Sequence, residues 1–160
     1  MTEDAIGRTR PRTVVLGLGN ILLGDEGVGV RVVEELERGG GLPGVEIVDG
    51  GTAGFRLLPY FDAADLVVVV DAAADGAPPG TVTLLTPAFA GAYPPALTPH
   101  DLGLKSIMDA LALADERPEI VLLTVSVAEA DRASLELSPP VAAAVREAAA
   151  RIRGLLTRPG

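Results

Sequence analysis

The stretch TVVLGLGNILLGDEGVGVRVVEELER, Thr13–Arg38, runs from an apolar strand through a glycine-spaced loop into an amphipathic helix. Thr13–Gly19 is continuously apolar, which suits a strand covered on both faces. From Asp25 the period changes: Val28, Val32 and Leu36 fall at i, i+4 and i+8, with Arg31, Glu34, Glu35 and Arg38 elsewhere on the helix. Gly39-Gly40-Gly41 ends it. A glycine loop between strand and helix is where a nucleotide-binding fold cradles phosphate on backbone N–H groups. This loop instead carries Ile21, Leu22 and Leu23 and then two adjacent acids, Asp25 and Glu26. A carboxylate repels phosphate, which raises the question of what ligand would want one at this place.

Working outward, VEIVDG (Val45–Gly50) reads as a second strand and GFRLLPYFDAA (Gly54–Ala64) as a short helix bent or stopped around Pro59. LVVVVD (Leu66–Asp71) is the strongest central strand, ending on an acid. TVTLL (Thr81–Leu85) follows after only nine residues, too few for a helical crossover, so the two are expected to pair antiparallel with the later strand at an edge. A Pro-rich loop, TPAFAGAYPPAL, leads to a helix opening at Thr98-Pro99-His100, with Thr as N-cap and Pro at the first helical position. Glu119–Val127 reads as the last strand. Ser138-Pro139 opens a final helix with Val141, Val145, Ala149, Ile152 and Leu156 along one side. This order predicts an α/β three-layer sandwich: a mostly parallel sheet with one antiparallel edge strand and helices on both faces. Residues 1–12 are expected to form a flexible tail and residues 13–158 a single domain.

Composition narrows the function. The 160 residues are 48% apolar with net charge −9. An acidic chain lacks the basic face that nucleic acid and anionic membranes require. There is no cysteine, which removes disulfides, thiolate zinc sites and a cysteine nucleophile together. The N-terminal MTEDAIGRTRPR has no apolar stretch of the secretory kind, and no apolar run approaches the ~20 residues of a membrane span. A cytoplasmic location is the expectation.

In open α/β sheets the functional crevice lies outside the carboxyl ends of the strands. Three residues report to that edge: Glu26 after the first strand, Asp71 at the end of the central strand, and His100, the one histidine. Each has an ordinary explanation. Glu26 can serve the helix dipole, although Asp25 alone can provide the cap. Asp71 can initiate a turn, and His100 can face solvent at a helix start. Taken together, two carboxylates and an imidazole are a ligand set for a divalent metal such as nickel, zinc or manganese. Other chemistries fit less well. The dinucleotide fingerprint GxGxxG meets Leu22 where its third glycine belongs, although Asp49 resembles the acid that holds a ribose. None of the four serines lies in a GxSxG motif.

The run GLGNILLGDEGVGVRVVEEL, the DGGTAG at Asp49–Gly54, the apolar strand ending in Asp71-Ala72 and the TPHDLGL at Thr98–Leu104 together resemble the hydrogenase maturation endopeptidases. The resemblance covers nearly the whole chain and departs before the final helix, where ADRASLELSPPV lacks a glycine the family often carries. It implies an α/β sandwich with a mixed five-stranded sheet. It implies an enzyme that removes a C-terminal peptide from the large-subunit precursor of [NiFe]-hydrogenase after nickel insertion, with the substrate's nickel as the recognition signal. It assigns metal contact and catalysis to Glu26, Asp71 and His100 and makes Asp49 and Thr52 second-rank candidates. Another divalent metal could occupy the isolated protein. If all three residues are ligands, the general base lies elsewhere: Asp49, Asp25 or hydroxide on the metal. Ile21, Leu22 and Leu23 would then form an apolar lip for the substrate's C-terminal segment. A non-catalytic nickel-binding chaperone, a dinucleotide-binding module and a spore-type endopeptidase of similar fold are the alternatives.

Overall fold

The computed structural model describes residues 12–86, 102–114, 117–128 and 133–157, without the side chains of residues 55 and 102–105. The expected helix opening at Thr98–His100 lies outside the described residues. So do the tail up to residue 11 and the last three residues. Arg12, assigned to the tail, already belongs to the sheet's lower edge: its N–H donates to Asp65 Oδ2 at 2.6 Å and its carbonyl accepts from Asp65 and Leu66.

Five strands, β1 (Thr13–Leu18), β2 (Val45–Gly51), β3 (Leu66–Ala73), β4 (Val82–Leu85) and β5 (Glu119–Ser126), form one sheet in the order β2-β1-β3-β5-β4. All neighbours are parallel except β4, which runs antiparallel to β5. This is the expected mixed, mostly parallel five-stranded sheet. The helices are α1 (Val28–Arg38), α2 (Leu58–Asp62), α3 (Leu102–Ala112) and α4 (Pro139–Leu156). Strand residues alternate between two cores. Val15, Val68, Val70, Val121 and Leu123 pack with Val28, Val32 and Leu36 of α1 and Val141, Ala148 and Ile152 of α4. Val14, Leu16, Val67, Val69 and Leu122 pack on the other face with Phe61 of α2 and Ile107, Met108 and Leu111 of α3. Two covered faces explain why β1, β3 and β5 are predominantly apolar on both sides.

Three local expectations are corrected. Thr81–Leu85 was expected to pair with the β3 strand, but β5 lies between them. A strand width is about 4.8 Å, so the nine-residue link easily crosses one, and β3 gains a long parallel partner on that side. Pro59 does not stop a helix. A 3-10 turn at Gly54–Leu57 leads into α2, where Pro59 occupies the first turn and its missing N–H costs nothing. The first helix likewise begins later than Asp25, because Gly24–Gly27 is a 3-10 turn and α1 starts at Val28.

Candidate active site at the carboxyl edge of the sheet

Glycines determine how the first loop sits. A Cβ on Gly29 would lie 2.2 Å from the carbonyl oxygen of Val70 and 2.3 Å from that of Leu18, so α1 enters with its backbone against the ends of both β1 and β3. Gly19, at φ +131°, is the second such position: a Cβ there would meet the Glu26 carbonyl at 1.9 Å. The turn bearing Glu26 is therefore folded down onto the end of β1, beside the strand that carries Asp71. The glycines serve backbone packing, and five of the loop's N–H groups are already engaged. Gly19 donates to Gly51 O, Leu22 to Asn20 Oδ1, Leu23 to Asn20 O, Gly24 to Ser134 O and Glu26 to Leu23 O. A dinucleotide's pyrophosphate would find none of these donors available.

Asp71 was expected to terminate its strand; instead β3 continues through Ala72 and Ala73, which pair with Val125 and Ser126. The turn-initiating explanation falls with that. Asp71 is fully buried, and its Oδ1 accepts the N–H of Ala72 at 2.8 Å. Because Val67 and Val69 face α2 and α3, strand alternation turns Asp71 to that same side. There it heads a row of polar positions across the sheet: Asp71 is registered with Thr124 of β5, and Thr124 with Thr83 of β4. Thr124 and Ser126 are the other buried polar side chains of the described core. Sequence reasoning missed this row. The signal was two hydroxyl residues spaced i, i+2 in an otherwise apolar strand, and only the register shows that they line up with Asp71.

The structure brings Glu26, half-buried, and Asp71 to one edge of the sheet. His100, the third candidate, lies outside the described residues. Asp49 is not on the same face as Asp71. It follows Val45 and Ile47, which pack on the α1 side, and it is exposed on the edge strand β2. Thr52 is exposed just past the end of β2. Asp25 does not cap its own helix; neither the 3-10 turn nor α1 has a side-chain cap. Its Oδ1 accepts the Ser138 N–H and its Oδ2 the Ser138 hydroxyl, each at 2.7 Å. Ser138 occupies the N-cap position of α4 as expected, yet its hydroxyl turns to Asp25 and makes no cap bond.

As a donor set, two carboxylates offer hard oxygen ligands, compatible with a divalent ion once a third group joins them. Among the described residues no group of three or more His, Cys, Asp or Glu comes together. Leu22 is 60% exposed beside this edge, and Ile21 and Leu23 are half-buried.

Comparison with known proteins identifies the family and the fold. A family model described as hydrogenase maturation protease matches residues 30–154. The hydrogenase 2 maturation protease of Escherichia coli K12 is 38% identical over 155 residues, covering 93% of each chain. The solved structure of the hydrogenase maturating endopeptidase HybD from E. coli superposes with a TM-score of 0.80 at 36% identity, covering 91% of both chains. That of the [NiFe] hydrogenase maturation protease HybD from Thermococcus kodakarensis gives 0.74 at 27% identity, covering 90% of this chain and 98% of that one.

Proposed function

Since this chain belongs to the hydrogenase maturation proteases and is thus an endopeptidase, we propose that it cleaves the C-terminal peptide from the large-subunit precursor of a [NiFe]-hydrogenase once nickel has been installed. The nickel belongs to the substrate in this reading. Glu26 and Asp71 meet it at the carboxyl edge of the sheet, with His100 as the third contact. The observation that carries the assignment is Asp71: a carboxylate with no solvent exposure, inside the central strand, beside the edge onto which the Glu26 turn is packed. A carboxylate at this edge supplies hard oxygen ligands, which suit a cation presented by the substrate.

Hydrolysis adds water to the scissile carbonyl, breaks the C–N bond and delivers a proton to the leaving amine. This chain's part is to hold the metal-bearing segment so that the scissile bond lies against the site, and to shield it with the apolar lip at Ile21–Leu23. Of the side-chain bases considered, Asp25 has both oxygens engaged by Ser138 and Asp49 faces the other side of the sheet. A water polarised by the substrate's own metal fits best as the nucleophile. A cytoplasmic location and a partner list confined to the precursor belong to the same reading, and the net charge of −9 speaks for a partner other than nucleic acid.

The test is intact-mass analysis of a cognate precursor, with and without nickel, incubated with wild-type protein and with Glu26→Gln. Loss of a C-terminal peptide from the nickel-loaded form alone, absent with the variant, is the expected result. An unchanged mass with properly loaded precursor would refute the assignment. Peptide loss from nickel-free precursor would refute the role given to the metal.

A further inference from the structure

Glu26 stands on a turn, and turns do not hold a reacting group in place without help. The help comes from far along the chain. Gly24 N–H donates to Ser134 O at 2.7 Å and Ser134 N–H to Leu22 O at 2.9 Å, so the loop forms a short parallel bridge with the segment that leads into α4. Arg31 of α1 donates to Leu135 O of the same segment at 3.1 Å. Asp25 completes the contact through its two bonds to Ser138, 113 positions away. Glu26 is the next residue. One flank of its turn is thus tied to α4, and the other is fitted under Gly19.

We infer that Asp25 is a positioning residue for the cleavage reaction: its carboxylate, clasped to Ser138 at the start of α4, holds the turn that presents Glu26. The inference rests on the reading that Glu26 meets the substrate's metal. The carboxylate caps α4 from outside the helix while leaving Asp25 itself no part in proton transfer. This separates the two adjacent acids by role: Asp25 orients, Glu26 touches the substrate. Asn at position 25 can keep the clasp, its Oδ1 accepting the Ser138 N–H and its Nδ2 donating to the hydroxyl. A base cannot be replaced in that way.

The experiment compares wild-type, Asp25→Ala, Asp25→Asn, Ser138→Ala and Glu26→Gln on nickel-loaded precursor. It separates kcat from KM and follows hydrogen exchange at the Gly24 and Glu26 amides. Asp25→Ala should lower kcat by about 100-fold with little change in KM, the usual consequence of a misplaced group. The two amides should lose protection while those of β3 keep theirs. Asp25→Asn should recover at least about tenfold of that loss, and Ser138→Ala should add little in the Asp25→Ala background, because both act through one contact. If Asp25→Ala does not fold, Asp25→Asn and Ser138→Ala alone decide: near-wild-type turnover in the first with reduced turnover in the second supports the clasp. Asp25→Asn as slow as Glu26→Gln would overturn it, making the charge itself essential. Wild-type turnover by Asp25→Ala beside an inactive Glu26→Gln also overturns the clasp and leaves the site reading standing. Wild-type turnover by Glu26→Gln overturns the site reading itself.

Discussion

Asp71 and Asp25 show how differently one residue type is used near the same edge of the sheet. Asp71 lies inside a strand, fully buried, on the face turned toward α2 and α3. Asp25 is half-buried and fully engaged by Ser138. Asp71→Asn keeps the volume and the acceptor for Ala72 but removes the charge. Cleavage of nickel-loaded precursor should fall by about 100-fold or more, as for loss of a metal contact, while circular dichroism stays unchanged. Leu22, 60% exposed, tests the lip. Leu22→Asp should leave stability within about 0.5 kcal/mol, as for an ordinary surface change, yet raise KM for the precursor. Unchanged processing would remove the lip from the account. Glu26 and Asp71 could be named from the sequence because an acid in a glycine-spaced loop and an acid after an apolar run are local signals. Thr124 could not, because its place beside Asp71 depends on a register set between chain segments some fifty residues apart.

Among the elements, the pair α1 and α4 carries the most tertiary information. The two helices are joined at both ends. At the start, Asp25 meets Ser138; at the finish, Arg153 of α4 donates to Leu36 O and Gly41 O at the end of α1. Gly39 leaves room for that guanidinium, since a Cβ there would lie 2.4 Å from Arg153 Nη2. The glycine run was legible as a helix stop; that it also admits an arginine from a helix more than a hundred positions later was not. Arg153→Ala leaves two carbonyls of the α1 terminus without their charged donor. It should cost about 1.5–3 kcal/mol. Thermal melting would read this as a drop of several degrees, at about 2–4 °C per kcal/mol for a domain of this size. Gly29→Ala is the sharper test of the α1 entry: the added methyl meets two backbone carbonyls that cannot yield separately. A loss of about 1–3 kcal/mol or outright failure to fold is expected in denaturant unfolding.

At the level of the whole molecule, β3 is the centre. It pairs with β5 along its whole length and with β1 over Leu66–Val70, and seven of its eight residues are buried. Native-state hydrogen exchange should therefore find its slowest amides in Val67–Val70, exchanging only through global unfolding. Denaturant unfolding should be a single transition if residues 13–158 form one domain. Earlier exchange of α4 as a separate unit would contradict that, because α4 shares its core with α1.

What this sequence determined by itself was the alternation of two-sided apolar strands with amphipathic helices, and the placing of Glu26 and Asp71 near strand ends. Both follow from short-range rules: a period of two or of 3.6, glycine at a stop, an acid after an apolar run. The tertiary structure alone decided that β5 enters between β3 and β4, that β3 continues past Asp71, that Asp49 faces away from it, and that Asp25 belongs to α4. Each of these is a pairing between distant segments. Such pairings are chosen by which faces and backbone groups the assembled layers leave to be satisfied, and no local pattern records that choice.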